Sequence, residues 1–229
     1  MPHFINPDLS GDYHMHTINY SDWFNTIDEM VIQAWKIWLK KIAITDHSRA
    51  HTTKKWIPLT TFRESWIPVR RQNIHNDVEV EFGVEGDLLN NQWDVCLDIQ
   101  HSEWWFTLLS VHKLYQDLEE ITKAYINAIE KHHAKIDCIG HPDFARITKH
   151  MNIKKVADCC NAYNLPIEFN CANFVNWTTD MKACHTFLRH IDTVYINSDA
   201  HTLYELSTLR KKWINRLIEN WYLEEEHRI

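Results

Sequence analysis

Short apolar runs alternate with stretches of helical period from one end of this chain to the other. Lys41-Ile-Ala-Ile-Thr45, Val78-Glu-Val-Glu-Phe-Gly-Val84, Trp105-Phe-Thr-Leu-Leu-Ser-Val111, Ile136-Asp-Cys-Ile-Gly140, Pro166-Ile-Glu-Phe-Asn170 and Thr193-Val-Tyr-Ile-Asn-Ser198 have the length and composition of buried strands. Another strand leads to His14 and His16, which makes seven. Between them, apolar positions recur every three to four residues. Ile27, Met30, Val31, Ala34, Ile37 and Trp38 mark a helix over 26–40, and Ile121, Ala124, Tyr125, Ala128 and Ile129 one over 118–133. Further helices are expected over 153–163, 180–190 and 203–221, the last burying Leu206, Leu209, Trp213 and Leu217. Asn25 or Thr26 can cap the first helix, whose positive end suits Asp28 and Glu29. Residues 48–76 form an excursion with a short helix near 61–71, and 86–101 a loop or short hairpin.

Strands alternating with helices predict parallel βαβ units and an α/β fold. The polar residues that punctuate the strand ends sharpen this. His14 and His16, His47, Glu85, His112, His141, and Asp199 with His201 all fall at C-terminal strand ends. A closed barrel gathers such residues at one face.

The 229 residues and 45% hydrophobic content suffice for one large core, and no linker or repeat interrupts them, so 1–229 reads as a single domain. A net charge of -7 argues against a broad nucleic-acid or anionic-membrane surface. Clusters such as Lys54-Lys55, Arg70-Arg71 and Arg210-Lys211-Lys212 read as solvated helix faces. The start lacks a charged region followed by an apolar one, so no signal peptide is expected. No apolar run reaches the roughly 18 residues of a membrane span. Six cysteines without a C-x-x-C read as buried free thiols in a reducing cytoplasm. The 11 tryptophans are unusual, and fill core and rim.

On a strand, side chains two apart share a face, so His14 and His16 make a ready pair of metal ligands. Asp22 follows closely. Taken singly, each candidate has an ordinary reading: Asp22 as a helix cap, Glu85 as an ion-pair partner, His112 or His141 as a polar residue at a strand end. Six imidazoles and three carboxylates at one barrel mouth are together more than one ion can use. Imidazole with carboxylate suits zinc, manganese or iron, and does not suit calcium. The remaining ten histidines read as surface residues.

These residues lie in Asp12-Tyr-His-Met-His-Thr17, Ile44-Thr-Asp-His47, Gly83-Val-Glu85, Ser110-Val-His112, Gly140-His-Pro142 and Ser198-Asp-Ala-His201. The set resembles the polymerase and histidinol phosphatase (PHP) superfamily, over nearly the whole chain. Gly11-Asp12 and Ile42-Ala-Ile-Thr-Asp-His47 look most like the PHP domain that follows bacterial family X DNA polymerases, here standing alone. The resemblance implies a distorted seven-stranded (β/α)7 TIM-like barrel with three divalent metal ions at the C-terminal strand ends. By position, His14, His16, Glu85 and Asp199 would hold the first ion, Glu85, His112 and His141 the second, and Asp22, His47 and His201 the third. Two features depart from the family pattern. Trp23 stands where relatives often have glycine, and Glu168-Phe169-Asn170 replaces a common Glu-Ile-Asn. Both bear on substrate identity.

The function so implied is hydrolysis of a small phosphomonoester by a metal-bridging hydroxide at a trinuclear site. Glu85 bridges two ions in this reading, and Asp199 or His201 passes a proton to the leaving oxygen. Asp12 and Asp46 are candidates to orient imidazoles. Arg146, with Arg49 second, would grip phosphate through a guanidinium. The runner-up is an exonuclease or phosphodiesterase acting on DNA ends or small nucleotides. A metal-stabilised binding module is the alternative of another class. The sequence leaves the oligomeric state open.

Overall fold

A computed structural model describes residues 2–18, 21, 24–54, 73–99 and 105–220. Asp22, Trp23 and the helix expected over 61–71 lie outside the described residues. Eight strands run parallel in one curled sheet: β1 (His3–Phe4), β2 (Gly11–Asp12), β3 (Lys41–His47), β4 (Glu79–Leu88), β6 (Phe106–Ser110), β7 (Cys138–Ile139), β8 (Ile167–Asn170) and β9 (Thr193–Asn197). Their order is β1-β9-β8-β7-β6-β4-β3-β2. The short β5 (Val95–Cys96) pairs antiparallel with β4, which makes the expected loop a hairpin.

Seven of the parallel strands are the expected ones, six from the apolar runs and β2 as the strand that leads to His14 and His16. The eighth, β1, is two residues long and pairs with the start of β9. So short a strand leaves no periodicity to read.

The curl brings β2 back beside β9, and the seam between them is closed without a ladder. Met15 and Ala200 form a parallel bridge, in which His16 N donates to Ala200 O at 2.9 Å. Below it, the buried Asn6 amide donates to Gly11 O at 2.9 Å and Ile196 O at 3.0 Å, and accepts from Ile196 N at 2.8 Å. One side chain thereby satisfies backbone groups that a missing ladder would leave bare.

The helices are α1 (Ile27–Lys36), α2 (Arg49–Lys54), α3 (Ile121–His132), α4 (Ala145–Thr148), α5 (Ile153–Ala162), α6 (Cys171–Val175), α7 (Met181–His190) and α8 (Leu203–Glu219). Thr26 and Glu29 close a capping box on α1, worth about 1 kcal/mol. Ile27, Met30, Val31 and Ala34 are buried as their period predicts. Trp38 is not: the helix stops at Lys36, and Trp38 takes a left-handed φ of 68° and turns outward, 80% exposed. On the other side, Trp213 of α8 is buried against Phe169 and Phe174, with ring centroids 5.9 and 4.2 Å away. Phe169 therefore belongs to the core, while its neighbours Glu168 and Asn170 face the opposite side of β8.

All six cysteines are free thiols, five of them buried. Among the described residues, no helix is long and apolar enough to cross a membrane.

Candidate metal centre

The C-terminal strand ends converge on Glu85, a carboxylate with about 1% of its side chain exposed. Register explains much of this: His47 and Glu85 are partners across β3 and β4. His47 Nδ1 lies 2.7 Å from Glu85 Oε2, and His16 Nε2 3.5 Å from the same oxygen. On the other oxygen, His141 Nε2 stands at 2.7 Å, His112 Nε2 at 3.0 Å and His14 Nε2 at 3.6 Å. Five imidazoles from four strand ends thus surround one buried carboxylate.

Beside it, His14 Nε2 and His16 Nε2 are 3.2 Å apart, and Asp199 Oδ1 lies 3.5 and 3.1 Å from them. Met15, between the two histidines, points into the core, as the strand period requires. His201 Nδ1 meets the Asp199 carbonyl at 2.6 Å, and its ring lies 4.5 Å from that of His16. Eight of the nine expected ligands are therefore gathered in one place, and the ninth is Asp22.

Carboxylates behind the ring fix the imidazoles. Glu168, fully buried, takes four hydrogen bonds: His14 Nδ1 at 2.7 Å, Asn197 Nδ2 at 3.0 Å, His141 N at 3.1 Å and Asn170 Nδ2 at 3.2 Å. Asp87, two residues beyond Glu85, accepts from His112 Nδ1 at 2.8 Å and from the Ser48 hydroxyl at 2.6 Å. Asn170 donates to Asp199 Oδ2 at 2.9 Å and also caps α6. The bonds from His14 and His112 place a proton on Nδ1 and turn Nε2 inward, the arrangement of metal-ligating histidines.

Asp12 and Asp46 instead bond mainly to the chain around them. Asp12 accepts from Ser198 N at 3.0 Å and sits 3.9 Å from the Arg210 guanidinium. Asp46 accepts from Thr17 Oγ1 at 2.6 Å and stays 3.9 Å from His16 Nδ1. Arg146 donates to the carbonyls of His112 at 3.0 Å and Tyr115 at 2.8 Å, so two of its N–H groups hold the segment that carries His112. Arg49 forks onto Asp98 at 3.0 and 3.4 Å.

The electrostatics are those of a cation site. Burial opposes ionisation of Glu85, yet His112, His14 and His47 hold its pKa well below the usual carboxylate range. Burial likewise opposes charge on His112, but Glu85 and Asp87 raise it to about 10. For His14, Glu168, Asp199 and Glu85 outweigh burial and raise it as well. Burial, with His112 and His51 adding to it, brings His47 down to about 4 in spite of Glu85. Among the described residues, His16 Nδ1 and His141 Nδ1 are buried without a hydrogen-bond partner, and Glu85 Oε2 and His47 Nδ1 face each other. Orphaned acceptor atoms around a charged, buried carboxylate fit a divalent cation, and the donor set suits zinc, manganese or iron. His141 and Asp199 also take left-handed φ values of 31° and 52°, strain of a kind that collects at functional sites.

Sequence reasoning missed Asp87, Glu168 and His51. The first two were marked by strand period, because Asp87 shares a face with Glu85, and Glu168 with Asn170. No period marked His51, which lies in α2 beyond the end of β3.

A family model described as PHP domain matches residues 12–170. A protein named "Probable phosphatase" from Thermoanaerobacter sp. strain X514 is 30% identical over 212 residues, covering 85% of this chain and 80% of that protein. One of the same kind from Caldanaerobacter subterraneus subsp. tengcongensis is 27% identical over 225 residues, covering 94% and 84%. The solved histidinol phosphate phosphatase of Lactococcus lactis, complexed with zinc, L-histidinol and phosphate, superposes with a TM-score of 0.52. It is 15% identical and covers 89% of this chain and 93% of its own, a likeness of fold.

Proposed function

This chain belongs to the PHP domain family, and from that premise we propose that it is a metal-dependent phosphomonoesterase with three ion positions. The observation that carries the reading is the ring of five imidazoles around buried Glu85. His14, His16, Glu85 and Asp199 would hold one ion, and Glu85, His112 and His141 a second. His47 and His201 would hold the third, for which Asp22 is the further ligand expected from the sequence. Divalent ions in such a set lower the pKa of a bound water and neutralise charge on phosphoryl oxygens.

The chain's own groups do the rest. Glu85 presents both oxygens to opposite sides of the centre, which fixes the separation of the flanking imidazoles. His201, held through Nδ1 by the Asp199 carbonyl, keeps Nε2 as its ligating or proton-carrying atom. Burial opposes ionisation of Asp199, 13% exposed, yet His14 and His201 hold its pKa well below the usual carboxylate range, which suits it to hold an ion. Arg146 fixes the His112 segment with two N–H groups, and its others are the phosphate-binding candidates.

A small phosphorylated substrate is favoured over nucleic acid. A net charge of -7 supplies no broad phosphate-tracking surface. The curated relatives are named phosphatases, and the Lactococcus structure carries L-histidinol and phosphate. Six free thiols support a reducing, cytoplasmic setting for residues 1–229 acting as one module.

The test is phosphate release from a panel of phosphomonoesters and short oligonucleotides, using protein reloaded separately with zinc and manganese. Release from small esters that is lost in His14→Ala is the expected result. Cleavage of oligonucleotides alone would replace this reading with a nuclease, and no mutant-sensitive turnover with either metal would leave a binding module.

A further inference from the structure

We propose that His51 is an additional metal ligand of this chain, joining His47 and His112 at the edge of the Glu85 centre and adding an imidazole to an ion position there. The inference rests on the metal-centre reading above, and extends it to a residue outside the strand-end motifs.

His51 sits in α2, directly after β3, and its ring lies parallel to that of His47, with centroids 3.9 Å apart and planes 12° apart. The His112 ring stands edge-on at 4.8 Å. One nitrogen from each of the three rings falls within 4.8 Å of the others, close enough for one ion to draw together.

Two further observations point to a ligand. Only 11% of the His51 side chain is exposed, yet among the described residues its Nε2 has no hydrogen-bond partner and its Nδ1 has only Asp87, 3.8 Å away. A buried imidazole that gives up water for so little is unusual, and an ion supplies the missing partner. Asp87 also stands behind two of the rings at once. Its Oδ1 is 2.8 Å from His112 Nδ1 and 3.8 Å from His51 Nδ1. A carboxylate on the Nδ1 side leaves Nε2 as the donor of both rings.

The position of His51 is fixed by more than its ring. Ser48 N donates to Glu85 O at 2.9 Å, and the Ser48 hydroxyl donates to Asp87 Oδ2 at 2.6 Å. These bonds pin the start of α2 to β4, the strand that carries the central carboxylate.

A further imidazole beside His47 and His112 tilts a position next to Glu85 toward zinc, cobalt or nickel over manganese. His47 and His112 also face Glu85, at 2.7 and 3.0 Å. An ion bound through His51 therefore uses nitrogens that the central positions also use. His51 strengthens one of the bound equivalents without adding a separate site.

The experiment is titration of the metal-free full chain with zinc against a chromophoric chelator, alongside the visible spectrum of the cobalt-loaded protein. It compares wild type, His51→Gln, His51→Ala and, as a control, the exposed His150→Gln, with circular dichroism to confirm folding. The expected result is that one zinc equivalent weakens about tenfold or more in each folded His51 variant, with an altered cobalt band. His150→Gln should match wild type. Folded His51 variants with wild-type zinc affinities and cobalt spectrum would overturn the proposal and leave the metal centre standing. Wild-type protein that binds neither zinc nor cobalt would overturn both. Should His51→Ala not fold, His51→Gln keeps ring-like bulk with a neutral amide and decides alone.

Discussion

Glu168 Oε1 lies 2.7 Å from His14 Nδ1, and neither side chain reaches solvent. The pair spans the centre from β8 to the strand end beyond β2, and it fixes which nitrogen of His14 faces inward. Glu168→Ala should lower zinc affinity 10–100-fold, the usual cost of removing a carboxylate behind a ligating histidine. Glu168→Gln keeps an acceptor and should lose less. Competition titration against a chelator reads both.

Asp87 does for His112 what Glu168 does for His14. With His112 raised to about 10, the metal-free protein carries a proton there at pH 8. Zinc must expel it, so metal affinity should rise with pH until about pH 10 and level off above. Calorimetry at pH 8 in two buffers of different ionisation enthalpy should show proton release. The release should shrink in Asp87→Asn, which removes one of the two carboxylates that raise His112.

Metal should also stabilise the fold, because its ligands come together only in the folded chain. With free zinc at a thousandfold over Kd, the gain is about 4 kcal/mol, or roughly 8–16 °C in Tm for a chain of this size. Thermal unfolding with zinc and with a chelator measures the difference. An unchanged Tm would count against a metal centre.

Trp213→Ala removes a buried indole packed edge-on to Phe169 and tilted against Phe174. The expected loss is about 3–5 kcal/mol in denaturant unfolding. Zinc affinity below the transition should stay near wild type, since Phe169 faces the core while Glu168 and Asn170 face the centre.

Much of this was legible in the chain. Buried strands announce themselves as apolar runs, and a ligand at a strand end is adjacent in sequence to the run that places it, as with His47 and β3. The supporting shell was harder to see. Asp87 and Glu168 gain meaning only when β4 and β8 come beside other strands, and His51 only when α2 folds back over β3. Trp38 misled for another reason. Helical period does not show where a helix stops, and the left-handed turn after Lys36 put the indole outside. The substitution of Phe at 169 looked relevant to substrate, but packing against Trp213 makes it a matter of core volume.

The seam between β2 and β9 has a consequence for synthesis. His14 and His16 leave the ribosome early, whereas Ala200 and Asp199, which meet them across the Met15–Ala200 bridge, are translated long afterwards. Until β9 docks, the early histidines have neither the closing bridge nor Asp199 beside them. Assembly of the expected ligand set is therefore governed by how fast the most distant parts of the chain find each other.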